Sequence, residues 1–241
     1  YRYLLGDFQP YLYRTDDYGR TWTRLTDGTN GIPADHPTRV VREDPDREGL
    51  LYAGTEFGIF LSMDDGATWT SFQQNLPVTP ITDLKVVDQN LYVSTMGRSF
   101  WVMDDITPLH QLVDGMNTDV VQLLEPRDVP RTRAGGFGYG GGGGQGGPQV
   151  TPQWSPNGVM IDYWIPQGLQ ADLTLEVLDA SGEVLRTYRS GGPGMRAQQD
   201  QGMRAPFTRM VGTATLATLP GLNRFVWDFT GPGAGPVKSH T

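Results

Sequence analysis

The side chains of this 241-residue chain best suited to chemistry are its carboxylates. Three adjacent pairs, Asp16-Asp17, Asp64-Asp65 and Asp104-Asp105, stand with Glu56 and Asp7 as candidates. Glycoside hydrolysis needs two carboxyl groups flanking the scissile bond, one as acid and one as base or nucleophile. Paired acids also suit calcium, but none of these loops carries the alternating ligand spacing of a dedicated site. His36, His110 and His240 are far apart, near a Pro or a terminus. The chain has no Cys, which excludes disulfides, thiol catalysis and thiolate-bound metal. From the residues alone we assign no catalytic, cofactor-binding or metal-ligating residue, and no cofactor.

A structural role fits the acids better. Thr15-Asp16-Asp17-Tyr18-Gly19-Arg20-Thr21-Trp22 and Ser62-Met63-Asp64-Asp65-Gly66-Ala67-Thr68-Trp69 share the pattern [Ser/Thr]-x-Asp-x-Gly-x-Thr-Trp. The Asp can accept hydrogen bonds from backbone N–H groups of its own turn, and Gly permits positive φ. The Trp leaves the turn to pack in the next strand. Asp17, Gly19, Thr21 and Trp22, with Asp64, Gly66, Thr68 and Trp69, therefore form the structural set. Both tryptophans are expected to pack between strands.

The elements that position these turns also repeat. Leu51–Asp65 aligns without gaps on Leu91–Asp105, with seven identities, and Tyr3–Asp7 and Tyr11–Thr15 take the equivalent places before the first octapeptide. Thr38–Arg42 and Ile81–Val87 alternate as further strands. Each unit then reads as four short antiparallel strands, a propeller blade. After Asp105, Ile106-Thr107-Pro108-Leu109 replaces Gly-x-Thr-Trp, so the series is expected to end in a degenerate blade. Two and a half blades do not close a ring. Because the chain also begins inside a strand-like run at Tyr1, a fragment or processed piece is the expectation.

Residues 1–125 are thus read as a partial β-propeller, closing on the strand-like run Val120–Leu124. Residues 126–154 form a Pro/Gly-rich linker with ten glycines between Gly135 and Gly147. Phe137 and Tyr139 in that loop are possible partner contacts. Residues 155–241 contain strands at Val159–Ile165, Leu173–Asp179, Val184–Arg189 and Gly221–Phe229, the spacing of an immunoglobulin-like sandwich. The fold class is all-β. No apolar run reaches the length of a membrane helix. The net charge of −8 sits in the first part, where residues 1–133 carry 12 Lys+Arg against 20 Asp+Glu and the remainder carries 7 against 7. Such a surface repels nucleic acid and anionic lipid.

These motifs resemble a known group. The octapeptides resemble Asp-boxes, and the whole chain outside the Gly loop is similar to sortilin-type Asp-box (BNR-repeat) propellers. Met96–Leu109 resembles the last-blade signature of that group. Asn157–Tyr163 and Gly221–Asp228 resemble its appended Ig-like module, similar to the one in flagellar hook-capping proteins. Photosystem II stability and assembly factors are similar propellers. The resemblance implies boxes facing the blade periphery, away from the central channel. A sialidase-like site would further need an arginine cluster and a Tyr nucleophile with a partnering Glu, which Arg98, Tyr52 and Tyr92 do not supply by spacing. The expected function is a non-catalytic structural subunit, periplasmic or extracellular, that binds other protein subunits. Trp101, Trp154, Trp164 and Trp227 are further candidate anchors. Docking on a membrane complex, such as a photosynthetic one, is the host the assembly factors suggest. The alternative is a glycoside hydrolase-like BNR propeller acting on exported or extracellular glycans.

Overall fold

The computed structural model describes residues 2–130, 158–169, 171–191 and 215–229. Phe137, Tyr139, Trp154 and His240 lie outside them. The described residues are mostly β, with a single α-helix and one 3-10 turn among them; that turn, Arg2–Leu5, stands where the sequence pattern predicts a strand, and the first strand begins only at Tyr13. Strands β1 (Tyr13–Arg14) and β2 (Thr23–Arg24) form a two-stranded ribbon around the first box. A four-stranded antiparallel meander follows: β3 (Thr38–Asp44), β4 (Arg47–Thr55), β5 (Ile59–Ser62) and β6 (Thr70–Ser71). The second box joins β5 to β6. A third sheet has β7 (Ile81–Val87), β8 (Asn90–Thr95) and β9 (Phe100–Met103).

These three sheets stack with apolar layers between them. Leu12, Leu25 and Ile32 meet Leu51, Ala53, Phe60 and Trp69 in the first layer. Tyr52, Ile59 and Leu61 meet Leu84, Leu91 and Val93 in the second. Strand alternation makes this possible: Leu51 and Ala53 point one way and Tyr52 the other, so one sheet serves both layers. A buried strand apolar on both faces gives the near-continuous run Leu50–Ala53. Gly54 marks the closest approach. A Cβ there would lie 2.6 Å from Ile81 Cγ2 and 2.7 Å from Val40 Cγ1.

The third unit departs from the repeat in two ways. In the middle sheet Gly54 pairs with Ile59 and Leu51 with Ser62, whereas in the third Ser94 pairs with Phe100 and Leu91 with Met103. The second hairpin therefore holds one extra residue, and Phe100 takes the place of Ile59, not of Phe60 as the ungapped alignment has it. Backbone bonds agree. Asp65 N donates to Gly49 O at 2.9 Å, and its counterpart is Ile106 N to Gln89 O at 2.9 Å. Asp105 is thus the counterpart of Asp64. Secondly, the chain enters helix α1 (Thr107–Val113) with Pro108 in its first turn, where a missing N–H costs nothing. Leu109 of this helix closes the second apolar layer.

The second half is two three-stranded sheets sharing one core. Strands β10 (Gln122–Leu123), β11 (Val159–Ile165) and β15 (Gly221–Trp227) form one; β12 (Thr174–Leu178), β13 (Val184–Ser190) and β14 (Thr215–Leu216) form the other. Ile161, Tyr163, Ile165, Leu216 and Phe225 fill the space between, with Tyr188 and Trp227 at the margin. The Tyr163 hydroxyl donates to Ala217 O at 2.9 Å, and burial pushes its pKa up to about 12. Strand β10, read from sequence as the end of the repeat region, pairs instead with β11: Gln122 opposes Trp164 and Leu123 opposes Tyr163. The pairing β13–β14 is parallel.

Candidate functional site

The boxes are closed hydrogen-bonded loops. Asp17 Oδ1 accepts from Arg20 N at 2.9 Å and Thr21 N at 2.8 Å, and Oδ2 accepts from the Thr21 hydroxyl at 2.7 Å. Asp64 repeats this with Thr68 N at 2.8 Å and the Thr68 hydroxyl at 2.6 Å. Gly19 N and Gly66 N donate to Thr15 Oγ1 and Ser62 Oγ at 2.8 and 2.9 Å. Both box glycines have positive φ, 87° and 85°. The Thr21 N–H, with the other donors, holds the Asp17 carboxyl below its ordinary range. For Asp64, partial burial pushes upward, but the Thr68 hydroxyl and N–H outweigh it and the pKa falls. A carboxylate so occupied has few lone pairs left for a substrate or an ion.

The other selected acids do not converge. Asp65 pairs with Arg14 across the first layer, and Asp16 lies against the same guanidinium at 3.1 Å. Glu56 pairs with Arg39, whose Nε donates at 2.8 Å. Asp7 accepts from the Tyr11 hydroxyl at 2.7 Å. Asp105 Oδ1 accepts from Thr107 N and its hydroxyl at 3.1 and 2.6 Å, a box-like turn without the box Trp. Arg98 N donates to Thr95 Oγ1, and its carbonyl accepts from Trp101 Nε1 at 2.7 Å. Among the described residues no three of His, Cys, Asp and Glu gather as metal ligands. An open cleft of about 500 Å³ lies between Pro45-Asp46 and Val87–Gln89, with Arg127 at its wall. None of the acids selected from sequence lines it.

Two buried polar groupings escaped sequence reading. Asp44 Oδ2 accepts from the Tyr52 hydroxyl at 3.0 Å and lies 3.1 Å from His110 Nε2, tying α1 to the β3–β4 hairpin. Burial of the Tyr52 phenol, and the Asp44 charge beside it, raise its pKa far above the ordinary value. In the second, Arg224 on β15 donates from Nε to Asp162 Oδ1 at 2.7 Å and from its two terminal nitrogens to the carbonyls of Asp104 and Asp105, both at 2.6 Å. Burial pushes the Asp162 carboxyl upward, and Arg224 offsets part of that rise. This clamp fixes the second half against the turn that follows β9. Neither grouping carries a sequence signal, because His110 stands 66 residues from Asp44 and Arg224 stands 62 from Asp162.

Two faces of the described stack are exposed. On the outer face of β7–β9, Tyr92 opposes Val102 and Ser94 opposes Phe100. Tyr92 is 42% exposed and Phe100 82%. Their counterparts Tyr52 and Ile59 are 0% and 4% exposed. At the opposite end Trp22 is 60% exposed, against 4% for Trp69. The expectation that both tryptophans pack between strands therefore holds for Trp69 and fails for Trp22. The reason is positional: the β1–β2 ribbon covers Trp69, and no described sheet precedes that ribbon to cover Trp22. Tyr13, the counterpart of Phe60, is exposed beside it, and Tyr18 at the turn tip is fully exposed. Among the proposed anchors, Trp101 and Trp227 pack against cores, and Trp164 Nε1 donates to Thr118 O at 2.9 Å. No helix among the described residues is long and apolar enough to cross a membrane. No protein-family model matches the chain, and no curated protein matches it.

Proposed function

We propose that this chain is a non-catalytic interaction subunit of a larger protein assembly, joined to its neighbours through the outer face of β7–β9. The observation that carries this reading is the outer face of β7–β9, where Tyr92, Phe100 and Val102 stand exposed in a row. Contiguous exposed apolar surface marks association sites in proteins, whereas scattered single residues do not. The internal repeat sharpens it, since the same positions one unit earlier are buried by a neighbouring sheet. The acids are engaged in turns and ion pairs, which favours a scaffold role over hydrolysis. The similarity to exported Asp-box propellers supports a place outside the cytoplasm.

The test is a photo-crosslinking amino acid at position 100, with position 184 as an exposed control on the second half. In cells that make this protein, irradiation should join position 100 to another polypeptide and leave position 184 largely free. Equal or absent crosslinking at position 100 would contradict the proposal.

A further inference from the structure

The third sheet lacks a strand that the unit before it contains. In the middle sheet β6 pairs along the outer edge of β5, with Phe60 opposite Ser71 and Leu61 opposite Thr70. Phe72 N then donates to Ile59 O at 2.8 Å, and the Gln73 side-chain oxygen accepts from Ile59 N at 3.2 Å. Phe72 is buried in the second apolar layer with Ile59 and Leu61. The backbone groups of Ile59 thus face β6, and those of Leu61, two residues on, do the same. Phe100 and Val102 hold these places in β9, since Phe100 opposes Ser94 as Ile59 opposes Gly54. After β9 the chain turns into α1, and no described strand pairs with the other edge of β9.

We propose that this edge accepts a strand of a partner polypeptide, laid antiparallel to β9, with the pattern of Thr70-Ser71-Phe72-Gln73: two small hydroxyl residues, an aromatic one and a side-chain amide. This rests on the interaction role proposed above and names the segment that binds. The repeat specifies the occupant, because the same edge one unit earlier is filled by such a segment. The added aromatic side chain lies beside Phe100, as Phe72 lies with Ile59, and covers part of the exposed face. The composition of β9 agrees. Exposed edges are ordinarily guarded by charged side chains or Pro, since bare N–H and C=O groups recruit other strands. The edge strands β3, β7 and β12 each carry Arg, Asp, Lys or Glu, whereas Phe100-Trp101-Val102-Met103 has no charge and no Pro. In strand addition the main-chain bonds supply affinity and alternate side chains supply selectivity. Strand β6 is only two residues long, so the added strand is short and the complex weak.

A fluorescein-labelled peptide with the sequence of residues 69–75, titrated into the full chain, tests this. It should bind with a Kd below about 1 mM. Hydrogen exchange read by NMR should show added protection at the amides of Phe100 and Val102. A peptide with Asp in place of its Phe should not bind. Val102→Pro removes an N–H that faces the free edge, so it should keep the fold and weaken the peptide about tenfold. Phe100→Asp, which alters no backbone group, takes its place if far-UV circular dichroism shows that the Pro variant does not fold. Absent binding to about 1 mM, binding without protection at Phe100 and Val102, or binding undiminished in the folded variant overturns the proposal. If any of these occurs while position 100 still crosslinks to another polypeptide in cells, strand addition alone falls and the interaction role stands.

Discussion

Asp17 and Asp64 show how a residue that invites a chemical reading is consumed by its own turn. Each carboxylate accepts from Thr N–H and Thr hydroxyl within four residues, so its charge stabilises a loop. Those N–H groups lie at exposed residues, and water takes over part of the lost bonding when the carboxylate is removed. Asp64→Ala should therefore cost about 1 kcal/mol, the net worth of such a bond, measured by urea denaturation. The pH dependence follows from the lowered pKa values of both acids. A depressed folded-state pKa contributes stability that is present above the unfolded value of about 3.9 and lost as pH falls through the folded one. The melting temperature should drop as pH falls below about 4, and the Asp17→Asn/Asp64→Asn protein should show a shallower drop. The box geometry was readable from spacing because every partner lies within the octapeptide. The fate of Trp22 was not, because burial depends on a neighbouring sheet that no local pattern encodes.

The sheets themselves followed from period-two alternation, and β11 occupies the same residues as its expected run, Val159–Ile165. Failures came where elements change partner. Val120–Leu124 has the composition of a repeat strand, yet two of its residues pair across to Tyr163 and Trp164. The extra residue between β8 and β9 is invisible to an ungapped alignment, since identities at Met103 and Asp104 mask it. Helix α1 was missed because only a short segment, opened by Pro108, replaces the third box. Packing between sheets makes its own prediction at Gly54. A methyl there would press on Ile81 and Val40, two branched core side chains. Gly54→Ala should destabilise the protein by about 1–3 kcal/mol despite the higher strand propensity of Ala, as thermal melts would show.

Across the whole molecule, one buried guanidinium joins the sheet stack to the second half. Arg224 spends three nitrogens on Asp162 and on the carbonyls of Asp104 and Asp105. Replacing it with Met should leave the Asp162 carboxylate buried and unpaired, at a cost of about 3–5 kcal/mol. Adding Asp162→Leu to that variant should recover much of the loss, which a double-mutant cycle measures. With the second half held in place, the outer face of β7–β9 stays exposed, and it is the surface proposed to associate. Carbene footprinting of the native assembly against the isolated chain tests this most directly. Tyr92 and Phe100 should label strongly in the isolated chain and be protected in the assembly, while Val184, also exposed, labels alike in both. Equal labelling of Tyr92 and Phe100 in the two samples would contradict an association through the end face of β7–β9.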